Sequence, residues 1–163
     1  MLWRWIRAVI ALPFNVLVVA PVIILAIADY HWKFNEIYLM IIGAVLLVIG
    51  LFLAGWTMWL FAQKGKGTAA PWDPPKKLVV AGPYCYVRNP MILSVLIMLV
   101  AESLLLNSWH IFIWSIVFLV GNLVYFPLVE EKKLEKSFGV DYLNYKFGVP
   151  RWIPRLTAWK QNS

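Results

Sequence analysis

The most constraining feature of this sequence is a set of four long apolar blocks. Residues 9–28, 37–61 and 111–129 contain no lysine, arginine, aspartate or glutamate. The fourth block, residues 91–109, contains a single charged residue, Glu102. Each block would span roughly 28 to 37 Å as a helix, and the hydrocarbon core of a bilayer is about 30 Å thick. The apolar residues surround each helix instead of lining one face, which disfavours a soluble helical core. The blocks predict an all-α integral membrane protein with about four transmembrane helices.

The basic residues indicate how these four helices are oriented in the membrane. In chain order, those on one side are Arg4, Arg7, Lys64, Lys66, Lys76, Lys77, Arg88 and the seven basic residues from Lys132 to Lys160. The other side of the arrangement carries only Lys33. Because cytoplasmic loops are enriched in lysine and arginine, both termini, the loop 62–90 and the tail 130–163 are predicted to be cytoplasmic. The same distribution accounts for the net charge of +7 without a nucleic-acid partner, for which no motif is present.

The chain is predicted to form a single membrane domain over residues 1–163. Its first block ends in the small-x-small sequence Ala26-Ile27-Ala28. This block is too long for the apolar region of a signal peptide, so we interpret it as a retained first span. The tail is predicted to begin as an amphipathic helix at the cytoplasmic membrane surface, because its apolar residues recur at mostly helical spacing. A single cysteine and two isolated histidines give no pattern for a disulfide or a metal site.

The stretch AGPYCYVRNPMI, residues 81–92, joins the cytoplasmic loop to the third block and admits two interpretations. Asn89 is a favoured N-cap residue and Pro90 suits the first position of a helix, so the stretch can simply begin the third span. Alternatively, Arg88 and the neighbouring aromatic residues contribute to a binding site at the cytoplasmic mouth of the bundle. The residues of this stretch do not by themselves distinguish the two interpretations.

Two adjacent carboxylates, Glu130 and Glu131, follow directly on the uncharged residues of the fourth block. Ionisable groups at the membrane edge are costly without partners, which makes this pair a functional candidate. Alternatively, Lys132 and Lys133 simply neutralise the pair. A tight hairpin of the third and fourth spans is expected to bring Arg88 to these carboxylates. Such a cluster would suit a zwitterionic ligand, with the arginine facing its anionic end.

Two longer stretches place these candidates in a recognisable pattern. The run LVVAGPYCYVRNP is followed, after a membrane hairpin, by EEKKLEKSFGVDYLNYKFGVPRWIP. In order and spacing this resembles the isoprenylcysteine carboxyl methyltransferase and phospholipid methyltransferase family. In that family Leu-Val, Gly-x-Tyr, Arg-His-Pro-x-Tyr, Glu-Glu, Phe-Gly-x-x-Tyr-x-x-Tyr and Val-Pro follow one another. The resemblance covers residues 78–154 and implies an integral membrane enzyme that uses S-adenosylmethionine as its cofactor.

The resemblance also implies which residues bind S-adenosylmethionine. They are Leu78, Val79 and Tyr84, then Arg88, Asn89, Pro90 and Ile92 at the Arg-His-Pro-x-Tyr positions, and Glu130 with Glu131 at the Glu-Glu positions. Asn89 stands in place of the family's histidine and Ile92 in place of its tyrosine. Asn89 is therefore excluded as a general base, because the amide of an asparagine side chain does not take up a proton. Tyr84 or Tyr86 is expected to face the cationic sulfonium. Arg151 is the candidate catalytic residue, with the role of positioning an anionic or carboxylate acceptor; a simple interfacial arginine is the alternative.

Together these inferences predict a membrane methyltransferase that moves a methyl group from S-adenosylmethionine to a small lipophilic or lipid-like acceptor reached from the bilayer. Because a sulfonium methyl group is already activated, transfer requires mainly orientation and a dry pocket. Oxygen, sulfur and nitrogen acceptors all stay open, and a carboxylate is favoured because it needs no base. The alternatives are an NADPH-dependent membrane reductase related to the sterol reductases, which are much longer, and a non-catalytic membrane scaffold of the same fold.

Overall fold

The computed structural model describes residues 10–32, 34–65 and 75–160, and all the regular structure within these ranges is helical. The main elements are a π-helical segment Ile10–Val19 that continues into α1 (Ala20–Ile27), then α2 (Ile37–Leu60), α3 (Pro90–Leu105), α4 (Trp109–Tyr125) and α5 (Glu131–Gly148). A π-helical turn Phe61–Gly65 extends α2, a 3-10 turn Gly82–Cys85 precedes α3, and a π-helical turn Phe126–Glu130 joins α4 to α5. The all-α prediction is confirmed over these ranges. Several basic residues of the predicted charge pattern, Arg4, Arg7, Lys33 and Lys66, lie outside them.

Two helical stretches are long and apolar enough to cross a membrane, Ile37–Gly65 and Trp109–Gly148. They contain the predicted spans 37–61 and 111–129. The other two predicted spans correspond to the shorter apolar helices Pro13–Ile27 and Pro90–Leu105. Large apolar side chains cover the outer surface of these helices, as at Phe52, which is 69% exposed. An apolar surface of this extent is typical of a protein that contacts lipid.

Helices α2 and α3 form the most extensive helix–helix interface among the described elements. On α2, Gly43, Gly50 and Thr57 recur every seven residues and are buried. A Cβ atom at Gly43 would lie 3.2 Å from the carbonyl oxygen of Ala101, and one at Gly50 would collide with the side chain of Met98. Small residues at this spacing let two helix backbones approach closely, as is common between helices in membranes.

Helices α3 and α4 form the tight hairpin that the sequence predicts. Helix α3 ends at Leu105 and α4 begins at Trp109, so three residues make the turn. Helix α3 is shorter than the predicted span 91–109. Asn107 adopts a left-handed conformation with φ of 47°, which ends the helical run. The hydroxyl of Tyr30 donates a hydrogen bond to the carbonyl of Leu106 and so ties the α1–α2 loop to this turn. The start of α3 and the end of α4 therefore lie at the same end of the molecule.

Helix α5 is interrupted at Gly139, where φ is 53° and ψ is −128°. Only glycine adopts this region readily, since a Cβ atom would be strained there although no other atom lies near it. The continuous amphipathic helix expected from the spacing of the apolar residues is therefore divided into two parts. The aromatic residues Phe138, Tyr142 and Tyr145 nevertheless join one apolar cluster with Leu78, across the loop that precedes α3.

The segment after α5 lies along that same loop. The backbone N–H of Arg88 donates to the carbonyl of Pro150 at 2.9 Å. The backbone N–H of Trp159 donates to the carbonyl of Cys85, also at 2.9 Å. The indole of Trp159 packs directly over Gly148, where any Cβ atom would collide with it. These contacts hold the C-terminal segment against residues 85–88.

Candidate active site

A small cavity of about 50 Å³ lies between the loop preceding α3 and the inner side of α5. Its lining comprises Phe61, Pro75, Leu78, Val79, Tyr84, Arg88, Asn89, Leu134, Phe138, Tyr142 and Tyr145. Five of the predicted cofactor-binding residues are therefore brought together in one wall. That wall is the stretch from Leu78 to Asn89, which the family resemblance singles out.

The 3-10 turn Gly82–Cys85 positions Tyr84 in this wall. Gly82 has a φ of 55°, and a Cβ atom there would lie 3.0 Å from the side chain of Leu60 and 3.1 Å from that of Trp56. Glycine is thus required by both the backbone conformation and the close approach to α2. The turn buries the ring of Tyr84, and the hydroxyl of Tyr145 donates to the Tyr84 carbonyl at 2.8 Å.

Asn89 occupies the N-cap position of α3, and Pro90 is the first helical residue, as predicted. The side chain of Asn89 makes no capping hydrogen bond, however. Its Nδ2 atom is buried and has no partner among the described residues. Asn89 therefore begins the helix through its backbone alone, and its amide is left at the cavity.

Three polar atoms in the cavity wall are buried without a hydrogen-bond partner in the described part of the chain. They are the Tyr84 hydroxyl, Arg88 Nε and Asn89 Nδ2. Buried polar groups in native proteins are nearly always paired, because an unpaired one costs about 1–3 kcal/mol. The three residues that carry these atoms all line the cavity, which makes it the candidate site for a polar ligand.

Glu131 forms the centre of a buried ion cluster beside this wall. Its side chain is only 4% exposed. Its Oε1 atom accepts hydrogen bonds from Arg88 Nη1 at 3.0 Å and from Arg151 Nε at 2.6 Å. Its Oε2 atom lies 3.1 Å from Nζ of Lys146, which also pairs with Glu135 at 2.6 Å. The predicted meeting of Arg88 with the carboxylates is confirmed for Glu131.

The charges of this cluster keep Glu131 ionised. Burial by itself would raise the pKa of Glu131. Hydrogen bonds from Arg151 and Lys146 and the charge of Arg88 outweigh it and hold the pKa below its ordinary value. The hydrogen bonds from Lys146 to Glu135 and Glu131 raise the pKa of Lys146. The cluster therefore contains three positive and two negative groups at neutral pH.

The tyrosines around the cavity remain neutral. Burial raises the pKa values of Tyr84, Tyr142 and Tyr145. Nη1 of Arg88 lies 3.4 Å from the Tyr142 hydroxyl, but the effect of burial outweighs this contact. The phenols are therefore hydrogen-bonding groups at neutral pH and are not available as phenolate bases.

The remaining predicted site residues lie near the cavity without lining it. Pro90 is buried at the start of α3, Ile92 is half-buried two residues later, and Glu130 is half-buried in the turn before α5. Within the described ranges Glu130 forms no ion pair, unlike its neighbour Glu131. Arg151 is connected to the wall through Glu131. The side chain of Tyr86 is 39% exposed, outside the cavity lining.

Sequence reasoning missed several residues of this site. Phe138, Tyr142 and Tyr145 stand in the Phe-Gly-x-x-Tyr-x-x-Tyr pattern, so a signal was present although they were not assigned to the site. Phe61 is the last residue of the second apolar block, and nothing in the sequence marks it as a site residue. Nothing in the sequence distinguishes Lys146 from the other basic residues of the tail.

Comparison with protein families identifies the class to which this chain belongs. The phospholipid methyltransferase family matches residues 38–141, which is more than half of the 163 residues. The chain therefore belongs to this family of membrane methyltransferases, which confirms the resemblance seen in the sequence. The match begins in α2, and so extends further toward the N-terminus than the motifs do. No curated protein and no solved structure matches the chain.

The residues present fit the chemistry of S-adenosylmethionine, the cofactor that this family implies. The cavity wall offers an apolar surface at Leu78 and Val79, an aromatic ring at Tyr84 and unpaired donors at Arg88 and Asn89. A cofactor with an aromatic base, a cationic sulfonium, hydroxyls and a carboxylate needs groups of these kinds. The volume of about 50 Å³ is smaller than the roughly 300–1,000 Å³ of typical ligand sites. Binding of the cofactor would therefore require the walls of the cavity to move apart.

Proposed function

We propose that this protein is a four-span membrane methyltransferase that uses S-adenosylmethionine to methylate a small lipophilic acceptor entering from the bilayer. The observation that carries the proposal is the convergence of three unpaired buried polar atoms on one cavity, in the loop that bears the family pattern. Family membership supports the reaction class, because the chain belongs to the phospholipid methyltransferases. Bound S-adenosylmethionine would supply a methyl group that its sulfonium centre already activates.

The residues of the wall have distinct proposed roles in holding the cofactor. Leu78 and Val79 provide an apolar contact surface, and Tyr84 presents its ring to the positive charge through cation–π attraction. Arg88 and Asn89 donate hydrogen bonds from Nε and Nδ2, the atoms that have no partner among the described residues. These donors suit carboxylate or hydroxyl oxygens.

Glu131 has a proposed positioning role, because its carboxylate already binds arginine side chains of this chain and is not free to bind a ligand. It accepts hydrogen bonds from both Arg88 and Arg151 through one oxygen atom. This shared acceptor sets the orientation of the two guanidinium groups. Arg151 uses only its Nε atom for this contact within the described residues, so its terminal nitrogens are proposed to orient an anionic acceptor.

The acceptor is proposed to be a carboxylate, because the cavity offers no evident general base. Burial keeps the surrounding tyrosines protonated, and the amide of Asn89 cannot accept the proton in the histidine position. An amine or thiol acceptor would have to lose a proton, whereas a carboxylate is ready to react when ionised. The wall residues then serve mainly to orient the reactants and to exclude water.

In our proposal the chain is a single membrane domain, both termini are cytoplasmic, and this site lies at the cytoplasmic side of the membrane. The basic residues around the loop and tail support this orientation. A water-soluble cofactor would then enter from the cytoplasm and a lipophilic acceptor from the bilayer. Entry of the cofactor requires α5 and the segment after it to move away from residues 78–89.

The decisive experiment is a thermal unfolding assay of the purified full-length protein with candidate ligands. At a ligand concentration of about one hundred times Kd, S-adenosylmethionine or S-adenosylhomocysteine is expected to stabilise the protein by about 2.7 kcal/mol. Stabilisation by NADPH alone would instead contradict the methyltransferase and favour a reductase, and no response to any of the three would favour a scaffold. Transfer of a labelled methyl group into a membrane extract then identifies the acceptor.

A further inference from the structure

A second groove, of about 420 Å³, lies directly beside the cavity. It is called the lysine groove because Lys64, Lys76 and Lys77 contribute to its lining. Leu78 and Phe138 line both the lysine groove and the cavity, so the two spaces share a wall. None of the three lysines has a role in the methyl-transfer site described above.

The backbone holds the lysines of this groove together. The N–H groups of Lys76 and Lys77 both donate to the carbonyl of Gly65, at 2.8 and 3.3 Å. Gly65 is buried, and a Cβ atom there would lie 3.1 Å from Val79 and 3.2 Å from Pro75. Lys64, the residue before this acceptor, is thereby held close to the other two lysines, which follow it by twelve and thirteen residues in the chain.

The described residues compensate only part of the charge of the lysine groove. Lys64, Lys76 and Lys77 are exposed, and within the described ranges none of them forms an ion pair. Asp141 is the one acidic residue in the lining, so three positive groups face one negative group. Ammonium groups that outnumber the acidic groups around one groove create a local positive potential that attracts anions.

The position of the groove indicates the source of that anion. Lys64 lies in the turn that extends α2, immediately after the apolar block 37–61. Basic residues directly beyond a transmembrane helix lie at the level of the lipid headgroups. The lining also contains the apolar side chains of Leu78, Val80 and Phe138, which suit the adjoining apolar part of a lipid.

We propose that the lysine groove binds the phosphate of an anionic membrane lipid. Lysine ammonium groups bind phosphate as compact point charges, and three of them around one groove suit a single phosphate group. The bound lipid lies against the wall shared with the cavity, at Leu78 and Phe138. The proposal rests on the membrane position given under the proposed function, but it does not depend on methyl transfer.

The first part of the test identifies the ligand. The full-length protein in a neutral detergent is titrated with phosphatidylglycerol, phosphatidylcholine or soluble glycerol phosphate while the thermal unfolding midpoint is measured. We expect phosphatidylglycerol to raise the midpoint saturably and the other two to leave it nearly unchanged. An equal rise with glycerol phosphate would identify a soluble phosphate ester as the ligand and overturn the lipid assignment. No rise with phosphatidylglycerol would overturn the site itself.

The second part of the test locates the site. The double variant Lys76→Gln/Lys77→Gln removes two ammonium groups and retains the backbone hydrogen bonds to Gly65. It is expected to bind phosphatidylglycerol about thirty-fold more weakly, since each basic residue at a membrane surface contributes about a five-fold gain in affinity. The matched control Lys132→Gln/Lys133→Gln removes the same charge from an adjacent exposed pair on α5, outside the groove. Equal losses in both variants would show general charge attraction and contradict the groove.

Stabilisation by S-adenosylmethionine, measured on the same samples, separates this proposal from the proposed function. A groove variant that loses the lipid response but keeps the cofactor response is folded and confirms a separate lipid site. A wild-type protein that responds to phosphatidylglycerol through Lys76 and Lys77 but not to S-adenosylmethionine would retain the lysine groove and overturn the methyltransferase proposal.

Discussion

Glu130 and Glu131 are neighbours in the chain, but their side chains have different surroundings. Glu131 is buried and paired with Arg88, Arg151 and Lys146. Within the described ranges Glu130 forms no ion pair, and its side chain is half-buried. A buried carboxylate with three basic partners holds those partners in place, so the two adjacent residues are expected to respond differently to the same substitution.

We predict that Glu131→Gln lowers the free energy of unfolding by about 3 kcal/mol, because it leaves the nearly buried guanidinium group of Arg88 and the partly exposed one of Arg151 without their counter-charge. The affinity for S-adenosylmethionine should fall as Arg88 loses its orientation. Chemical denaturation and ligand titration measure the two effects. The matched control Glu130→Gln should change the free energy of unfolding by no more than about 0.5 kcal/mol. Equal destabilisation by both substitutions would contradict the central position of Glu131.

We also predict that the contribution of Glu131 to the free energy of unfolding depends on pH. The folded-state pKa of Glu131 lies below its ordinary value near 4.5, so its contribution to stability is complete above that value. The contribution is lost as the pH falls through the lower folded-state pKa. The difference in unfolding free energy between the wild type and Glu131→Gln should therefore be constant near neutral pH and shrink below about pH 4.5. A difference that grows toward acid pH would contradict the ionised state.

Asn89 provides a test that separates helix capping from ligand binding. An asparagine that caps a helix usually contributes about 1 kcal/mol, but Asn89 makes no capping hydrogen bond. We predict that Asn89→Ala changes the free energy of unfolding by less than about 0.5 kcal/mol. Its affinity for S-adenosylmethionine should fall about ten-fold, through the loss of one hydrogen bond. Ser108→Ala is the matched control, since Ser108 also lies at an uncapped N-cap position and is remote from the cavity.

At the scale of elements, α5 determines the shape of the site. Its interruption at Gly139 lies directly after Phe138, and Tyr142 and Tyr145 follow it within two turns. All three aromatic residues line the cavity. The regular spacing of apolar residues suggested a continuous helix, because a hydrophobic period does not reveal a single residue with positive φ. The preceding turn Phe126–Glu130 is also irregular, as expected at Pro127.

We predict that Gly139→Ala lowers the free energy of unfolding by about 1–3 kcal/mol. The cost comes from backbone strain alone, because a Cβ atom at Gly139 would meet no other atom within 4 Å. Gly121→Ala in α4 is the matched control, since its Cβ atom would also be in open space but its backbone is helical. That substitution should be neutral or stabilising by up to about 1 kcal/mol. Equal effects at the two positions would exclude strain at Gly139.

At the scale of the whole molecule, the four-span arrangement predicts the side of the membrane on which each loop lies. Single cysteines at Glu36, Lys76, Trp109 and Lys132, in a Cys85→Ser background, are tested with a membrane-impermeant thiol reagent applied to intact cells. Four spans predict labelling at the first and third positions only. If only α2 and α4 crossed the membrane and the N-terminus stayed cytoplasmic, the second and third positions would be labelled and the first protected.

Much of the architecture was predictable from the sequence because its signals are local. Hydropathy located the apolar helices, and the Asn89-Pro90 pair marked the start of α3. The short separation between the third and fourth apolar blocks predicted the α3–α4 hairpin. The family pattern indicated five of the residues that line the cavity. The membership of Lys146 in the ion cluster was not predictable, because it depends on how α5 packs against residues distant in the chain.

The sequence by itself determined that this chain forms apolar helices and belongs to a family of membrane methyltransferases, since hydropathy and motif order are properties of neighbouring residues. The tertiary structure decided which of two adjacent carboxylates is the buried one, and that Asn89 leaves its amide at the cavity. The contacts of Glu131 with Arg88 and Arg151 join residues 43 and 20 positions apart. Such contacts depend on how α5 and the segment after it pack against the start of α3, because burial and charge pairing are properties of the folded chain.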